Sequence, residues 1–214
     1  MPAIPKTKRT GELSLEGTSR DRLLLAAKKL FASEGYDHTS TVAIARAAGT
    51  SESQLMKHFG NKEGLLEAIF DEGWNSMGYM FRAIQELPTP GEKLAVMLDL
   101  ILTTLDRDPD LRELMMLEGR RIRKEGRMVL LSKGYLHFVG VIDALLTEMQ
   151  QHGELRADLH VDAVRSALIS MFEGMIRDQI LAKRMGFPAQ YDGAELRTIF
   201  KCVLGAFMNH PTPS

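Results

Sequence analysis

Apolar side chains recur three or four positions apart along most of this chain, which is the pattern of helices that bury one face. The first stripe begins behind Thr18, and Asp21 completes a capping-box signal for the start of a helix. The stripe continues to Phe31. Gly35 is expected to end the helix, because glycine tolerates the left-handed conformation of a helix cap.

Two short helices are predicted next. Ser40 or Thr41 can cap the first of them, and Gly49 is expected to stop it. Ser51 begins the run Ser-Glu-Ser-Gln, which is a second capping signal and opens another short helix. The inward positions of these two helices are expected to be Ile44, Ala45, Ala48, Leu55 and Phe59.

Longer helices follow. One starts after Gly60-Asn61, carries a long apolar stripe and ends before Pro88. The remaining helices are predicted near residues 92–106, 110–119, 127–152, 161–184 and 193–209. The 92–106 segment is apolar on nearly every side and is expected to be buried. Because no segment shows a sustained two-residue alternation bounded by hairpin turns, the predicted fold class is all-α.

Length and charge suggest a small head followed by a larger body. The chain has 214 residues, and residues 1–66 carry ten Lys/Arg against seven Asp/Glu. The remainder carries seventeen against twenty-one, so a mildly basic head precedes an acidic body. Such an asymmetry fits nucleic-acid contact at one end. We predict a disordered, Pro- and Gly-containing arm over 1–17, a three-helix head over 18–66 and a helical body over 67–214.

Composition narrows the class of protein further. Hydrophobic residues make up 44% of the chain and charged residues 26%, which is ordinary for a soluble globular protein. Cys202 is the single cysteine, so no intrachain disulfide is possible and a reducing compartment is favoured. There is no apolar signal core and no membrane-spanning run, so we expect a cytoplasmic protein. Signatures of enzymes, cofactors and metal sites are missing, and none of the three is predicted.

The turn between the two short helices has the form of a DNA-reading helix-turn-helix. It consists of Ala48-Gly49-Thr50-Ser51, in which the glycine allows a tight reversal of the chain. In this arrangement the second helix projects its N-terminal residues into the major groove. Residues 51–58 supply the small capping residues and longer polar side chains that groove reading requires.

Three motifs of the head resemble the tetracycline-repressor (TetR) family of transcription regulators. Residues 31–36 read Phe-x-x-x-Gly-Tyr, residues 41–49 contain Ile-Ala-x-x-Ala-Gly, and residues 58–65 read His-Phe-x-x-Lys-x-x-Leu. The match is dense over about fifty residues. The body resembles the family only in its length and helix pattern.

The resemblance implies roles for individual residues of the head. Thr41, Ser51 and Lys62 would contact phosphate, and Ser53 and Gln54 would face bases, where glutamine can pair with adenine. Lys57 and His58 would contact phosphate or a base edge, and Arg46 would clamp phosphate or lie solvated on the surface. Met56 stands where the family usually has a tyrosine whose hydroxyl meets a phosphate, so it would touch a thymine methyl or a sugar edge instead. The predicted DNA-binding set is Thr41, Arg46, Ser51, Ser53, Gln54, Met56, Lys57, His58 and Lys62.

The resemblance also implies a body that binds a small effector. Methionine is adaptable and lines promiscuous apolar sites, and the chain has thirteen. The predicted effector-binding residues are Trp74, Met77, Phe81, Met97, Met115, Met116, Phe138, Met171 and Met175. The same stripes also fit plain core. Candidate polar groups beside them are Asp99, Thr103, His137 and Gln179.

Dimerisation is implied as well, since two heads must reach successive turns of the DNA groove. The predicted dimer interface is Val164, Leu168, Phe172, Ile199, Val203 and Phe207, although these positions fit intrachain core equally well. The basic run from Arg120 to Arg127 reads as a solvated loop, or as a site for an anionic ligand or phosphate.

Three hypotheses of function follow. The first is a homodimeric regulator that represses transcription and leaves a palindromic DNA operator when a small apolar or amphipathic effector binds. The second is a ligand-binding protein of the same fold without DNA readout, which the loss of tyrosine at Met56 favours. The third, an all-α enzyme acting on lipids, lacks any constellation of acid, base or nucleophile.

Overall fold

A computed structural model of the chain describes residues 17–120 and 129–209, apart from the side chain of Met80. Most of the predicted arm and the basic run beyond Arg120 lie outside these residues. The helices are α1 Ser19–Glu34, α2 Thr41–Ala47, α3 Glu52–Phe59, α4 Lys62–Ala83, α5 Pro90–Arg107, α6 Pro109–Met115, α7 Lys133–Gln151, α8 Val161–Met185 and α9 Gly193–Phe207. A 3₁₀ turn, Ile84–Glu86, follows α4.

The all-α class is confirmed. The described part holds no strand, and Leu155 and Met208 form an isolated bridge. It divides into two compact units between Ala68 and Ile69, close to the division predicted after residue 66. No helix in the described ranges is long and apolar enough to cross a membrane.

The predicted caps of α1 are present. The backbone N–H of Asp21 donates to Thr18 Oγ1 at 3.3 Å, and Thr18 N–H donates to the Asp21 carboxylate at 3.0 Å. At the other end, Gly35 N–H donates to the Phe31 carbonyl at 3.1 Å. The two ends read from the sequence are therefore the ends of the helix.

The head unit packs α1, α2 and α3 against one another. Ser40, rather than Thr41, caps α2, since its hydroxyl accepts the N–H of Ala43 at 3.1 Å. Ile44 and Leu55 are fully buried, whereas Phe59 is only partly so. Phe59 is thus a weaker inward anchor than its spacing predicts.

The body unit is built around α5, which packs against α6, α7 and α9, while α8 packs against α7 and α9. The prediction that α5 is buried holds along one broad face. The buried residues of α5 are Pro90, Leu94, Met97, Leu98, Ile101, Leu102 and Leu105.

Two predicted helix boundaries in the body are wrong. The helix expected over 110–119 ends at Met115, because Gly119 turns with φ 74° and donates its N–H to the Leu130 carbonyl at 3.0 Å. The helix expected from 127 begins at Lys133. Ser132 caps it from a fully buried position, where its hydroxyl accepts the Tyr135 N–H at 3.1 Å.

Candidate nucleic-acid interface and ligand cavity

The turn between α2 and α3 is a tight chain reversal. Gly49 takes φ 60°, a conformation that favours glycine, and its N–H donates to the Arg46 carbonyl at 3.1 Å. Thr50 N–H donates to the Ala45 carbonyl at 3.0 Å, which closes the end of α2. Ser51 then caps α3 by accepting the N–H of Gln54 at 3.3 Å.

One face of α3 is polar and exposed, while Leu55 fixes the opposite face in the core. Ser53 and Lys57 are exposed, and Gln54 is partly so. Met56, which replaces the tyrosine of the family pattern, is 47% exposed. The helix therefore presents small, amide, apolar and cationic groups to solvent within two turns.

Three predicted DNA-binding residues already have partners within the head. Thr41 donates its hydroxyl to the Glu52 carboxylate. His58 Nε2 lies 2.9 Å from Ser19 Oγ, and the Lys62 ammonium lies 4.3 Å from the centre of the Tyr36 ring. A phosphate would have to compete with the glutamate for the threonine hydroxyl.

Arg46 and Ser51 are exposed, and Ser51 Oγ lies 2.9 Å from Ser53 Oγ. Sequence reasoning missed the arginine that supports the turn. Arg22 of α1 donates from Nε to the Ala48 carbonyl at 3.1 Å and from Nη1 to the Gly17 carbonyl at 3.0 Å. Nothing in the local sequence links Arg22 to a turn twenty-six residues later.

The body unit contains a cavity of about 720 Å³ of empty space, part of it open to solvent, with an almost wholly apolar lining. Helices α4, α5, α7, α8 and α9 and the α6 segment supply its walls. Five of the predicted effector residues line it, namely Trp74, Met97, Met115, Met116 and Phe138. A mostly apolar lining with a few polar groups is typical of small-molecule sites.

Four predicted effector residues do not line the cavity. Met77 and Phe81 are buried elsewhere in the body core, and the Phe81 ring centre lies 6.4 Å from that of Phe138. Met171 and Met175 are on α8, whose cavity face is formed by Ile169, Phe172 and two neighbours. Helical rotation turns both methionines away from that face.

The predicted dimer residues are divided by the structure. Val164 and Leu168 are only 3% and 2% exposed within one chain, so they have no surface left for a partner. Leu168 and Phe172 line the cavity. Ile199 is 45% exposed. Val203 and Phe207 follow Ile199 at four-residue steps along α9 and are half-buried.

The polar groups that line the cavity are not those expected. Asp99, Thr103, His137 and Gln179 are absent from the lining. Asp99 pairs with Arg197 at 3.0 Å, and His137 is exposed. The lining instead contains Glu118, Tyr135 and Glu173, and its remaining members are apolar.

Glu118 is the most buried of these groups, with 7% of its surface exposed. Trp74 Nε1 donates to its Oε2 at 2.9 Å, and Ser132 N–H donates to its Oε1 at 2.8 Å. Burial raises the pKa of the Glu118 carboxyl, the donors of Ser132 and Trp74 lower it, and Asp71 raises it. Burial is the largest of these effects.

The other two polar groups of the lining are Tyr135 and Glu173. Burial raises the pKa of the Tyr135 hydroxyl, and the nearby carboxylates of Glu173 and Glu118 raise it further. Glu173 also pairs with Arg120 at 2.9 Å. Tyr135 therefore keeps its proton over the ordinary pH range.

A helix-turn-helix head joined to a helical body defines a DNA-binding regulator. A family model described as "Bacterial regulatory proteins, tetR family" matches residues 23–69. A second, described as "YsiA-like protein, C-terminal region", matches residues 74–192, more than half of the chain. The chain belongs to the TetR family of bacterial transcription regulators, as the motifs of the head predict.

Individual relatives agree with this assignment. The "Fatty acid metabolism regulator protein" of Bacillus subtilis is 28% identical over 163 residues, which cover 75% of this chain and 82% of the relative. The "HTH-type transcriptional regulator UidR" of Escherichia coli K12 is 25% identical over 166 residues, covering 75% and 81%.

Solved structures share the fold. FadR from Bacillus subtilis, in complex with stearoyl-CoA, gives a TM-score of 0.71 at 24% identity, over 87% of this chain and 96% of that one. SmeT, the repressor of the Stenotrophomonas maltophilia multidrug efflux pump SmeDEF, gives 0.68 at 22% identity, over 91% and 92%.

Proposed function

We propose that this chain is a homodimeric repressor that binds a palindromic operator through α3 and leaves it when a small apolar or amphipathic effector occupies the body cavity. The observation that carries the proposal is the apolar cavity whose wall includes Trp74 of α4. The same helix begins at Lys62 in the head unit. An effector that touches Trp74 therefore touches the helix that also belongs to the head.

The DNA contacts are proposed for the exposed face of α3. Lys57 would neutralise a phosphate, and Gln54 would read a base edge, with Ser53 beside it. Arg46 and Lys62 would add phosphate contacts. Because Thr41 and His58 are bonded to Glu52 and Ser19, their proposed role is to fix α3 as much as to touch DNA.

The DNA-binding test is selection of a site from a random library, followed by titration of that site at about 50 and 200 mM salt. Lys57→Ala should weaken binding and lower the salt slope by about one counterion for each protomer, about two for the dimer. Gln54→Ala should cost about 1–3 kcal/mol for each half-site and relax specificity at one position of each half-site.

The matched control is Lys29→Ala, which removes one exposed cation from α1 rather than α3. It should leave the salt slope unchanged. A folded dimer that enriches no sequence at any salt, with or without effector, would refute the repressor function. It would favour the alternative of a ligand-binding protein without DNA readout, to which Met56 points.

The dimer is proposed to use the stripe of Ile199, Val203 and Phe207 on α9. Ile199→Asp places a charge in this stripe and should shift the protein toward monomer in sedimentation experiments. Lys201→Asp, about 200° around the helix from Ile199, should not do so. Dimers of equal stability in both variants would exclude this face.

Effector release is tested by adding a ligand to the operator complex. A ligand that binds the cavity should lower DNA affinity, and DNA should lower ligand affinity by the same factor. A cavity ligand that leaves operator affinity unchanged would refute release. Choosing a ligand for this experiment requires the chemical class of the effector, and the side chains that line the cavity limit that class.

A further inference from the structure

The polar groups of the cavity are all carboxyls or a phenol. Glu118, Glu173 and Tyr135 are the members of its lining with polar side chains, and no Lys, Arg or His side chain of the described residues lines it. Pockets of this kind fix the orientation of an apolar ligand with a few polar groups. The charge of those groups therefore determines which polar end group a ligand can place inside the cavity.

Glu118 retains capacity to accept a further hydrogen bond. Its described donors are the indole N–H of Trp74 and the backbone N–H and hydroxyl of Ser132. A carboxylate offers about four acceptor sites, and these donors use three of them. The remaining site can take a donor that enters through the cavity.

The surroundings of Glu118 add to this preference. Asp71 lies close enough to raise the pKa of the Glu118 carboxyl, and it is also an acid. At Tyr135, Glu173 and Glu118 together outrank the arginines Arg165 and Arg120 in their effect on the hydroxyl pKa. A buried carboxylate of a ligand would meet the same carboxylates. The two nearby arginines are already paired, Arg120 with Glu173 at 2.9 Å and Arg165 with Asp143 at 2.6 Å, so neither is free to offset the desolvation of the ligand.

We infer that the cavity takes an apolar ligand whose buried end donates a hydrogen bond to Glu118, as a hydroxyl or an ammonium group does, and that it excludes a carboxylate end. The inference rests on the proposed function, since it specifies the effector of the same cavity. A ligand with an acceptor-only end, such as an ester, could accept from the Tyr135 hydroxyl but could not use Glu118, so it occupies the cavity with less affinity than an alcohol or amine of equal length.

The test uses the emission of Trp74, the single tryptophan, which lines the cavity and donates to Glu118. The full-length protein is titrated with decanol, decylamine, methyl decanoate and decanoate, each below its micelle concentration. Decanol and decylamine should bind at least about tenfold more tightly than decanoate, and methyl decanoate should be weaker than decanol. The relative affinities of decanol and decylamine distinguish a neutral from a cationic donor.

Glu118→Gln removes the acceptor charge and should narrow the gap between decylamine and decanoate. Glu148→Gln is the control, because it removes a carboxylate of α7 that pairs with Lys93 outside the cavity lining. The wild-type probe series stands on its own if Glu118→Gln fails to fold.

The outcomes separate the two proposals. Decanoate binding as tightly as decanol, or methyl decanoate matching decanol, overturns the donor assignment and leaves an effector cavity in place. Binding of none of the four probes overturns both the donor assignment and the effector function.

Discussion

Gly134 lies in the first turn of α7, where the backbone passes directly against Trp74. A Cβ atom at Gly134 would lie 2.3 Å from Trp74 Cβ and 2.8 Å from its Cγ. Real Cβ atoms do not approach other carbons so closely, and the indole cannot move freely because Glu118 holds its N–H at 2.9 Å. Gly134→Ala must therefore displace the start of α7 or the tryptophan.

The size of the effect follows from opposing contributions. Overpacking of a well-filled core costs about 1–3 kcal/mol. The hydrogen bond from Gly134 N–H to Asp71 Oδ1, now 3.2 Å, would weaken, at a cost of about 0.5–1.5 kcal/mol. Alanine in a helix recovers up to about 1 kcal/mol. We expect a net loss of about 1–3 kcal/mol, which lowers Tm by roughly 2–12 °C in a chain of this length.

Gly140→Ala is the matched control, since Gly140 is in the same helix and a Cβ there meets nothing within 4 Å. It should raise stability by about 0.5–1 kcal/mol through helix propensity alone. Both variants are unfolded by heat and urea at one protein concentration, with helix content and Trp74 emission as probes. If Gly134→Ala is as stable as Gly140→Ala, the close approach does not exist and the position of Trp74 must be revised.

Three further changes test other parts of the molecule. Ser132→Ala removes the cap of α7, worth about 0.5–2 kcal/mol, and also a hydroxyl donor to Glu118, so urea unfolding should show a loss of at least that size. Thr39→Val keeps the shape of a side chain that is 2% exposed but removes its hydroxyl donor to the Gly35 carbonyl at 2.9 Å, so it should cost about 1–3 kcal/mol. Since the Glu118 carboxyl has a pKa above its usual 4.5 in the folded chain, the folded state binds more protons than the unfolded state above that pH. Stability should therefore fall as pH rises through this window, and Glu118→Gln should flatten the fall. Unchanged stability of Ser132→Ala or Thr39→Val would contradict the role given to that hydroxyl. A pH dependence of stability in Glu118→Gln equal to that of wild type would contradict the raised pKa of Glu118.

Features that depend on neighbours in sequence could be predicted. The capping of α1 by Thr18 and the turn at Gly49 rest on side chains and backbone groups within five residues of each other. The same locality allowed the motifs of the head to indicate its family. Where two caps were locally equivalent, at Ser40 and Thr41, the sequence left the choice open.

The polar side of the cavity could not be predicted, because its contacts join distant parts of the chain. Trp74 and Glu118 are forty-four residues apart, and Glu118 and Ser132 are fourteen apart. The sequence predicted Trp74 as an effector-binding residue, but residue type and spacing do not indicate which apolar side chains meet a void. Met77 and Met97 have the same apolar character, and only Met97 lines the cavity.

The start of α7 brings these distant contacts together on one helix. Asp71 and Trp74, one turn apart on α4, are joined respectively to the Gly134 N–H and, through Glu118, to the Ser132 N–H. α4 is thus held to the α7 N-terminus at two adjacent points, and one of them forms part of the cavity wall. A ligand donor that engages Glu118 shares an acceptor with the Trp74 indole. Binding of such a ligand would therefore change the strength of the hydrogen bonds that hold α4 to the start of α7. The effect on α4 would be direct, because Trp74 of α4 bonds to the same carboxylate as the ligand.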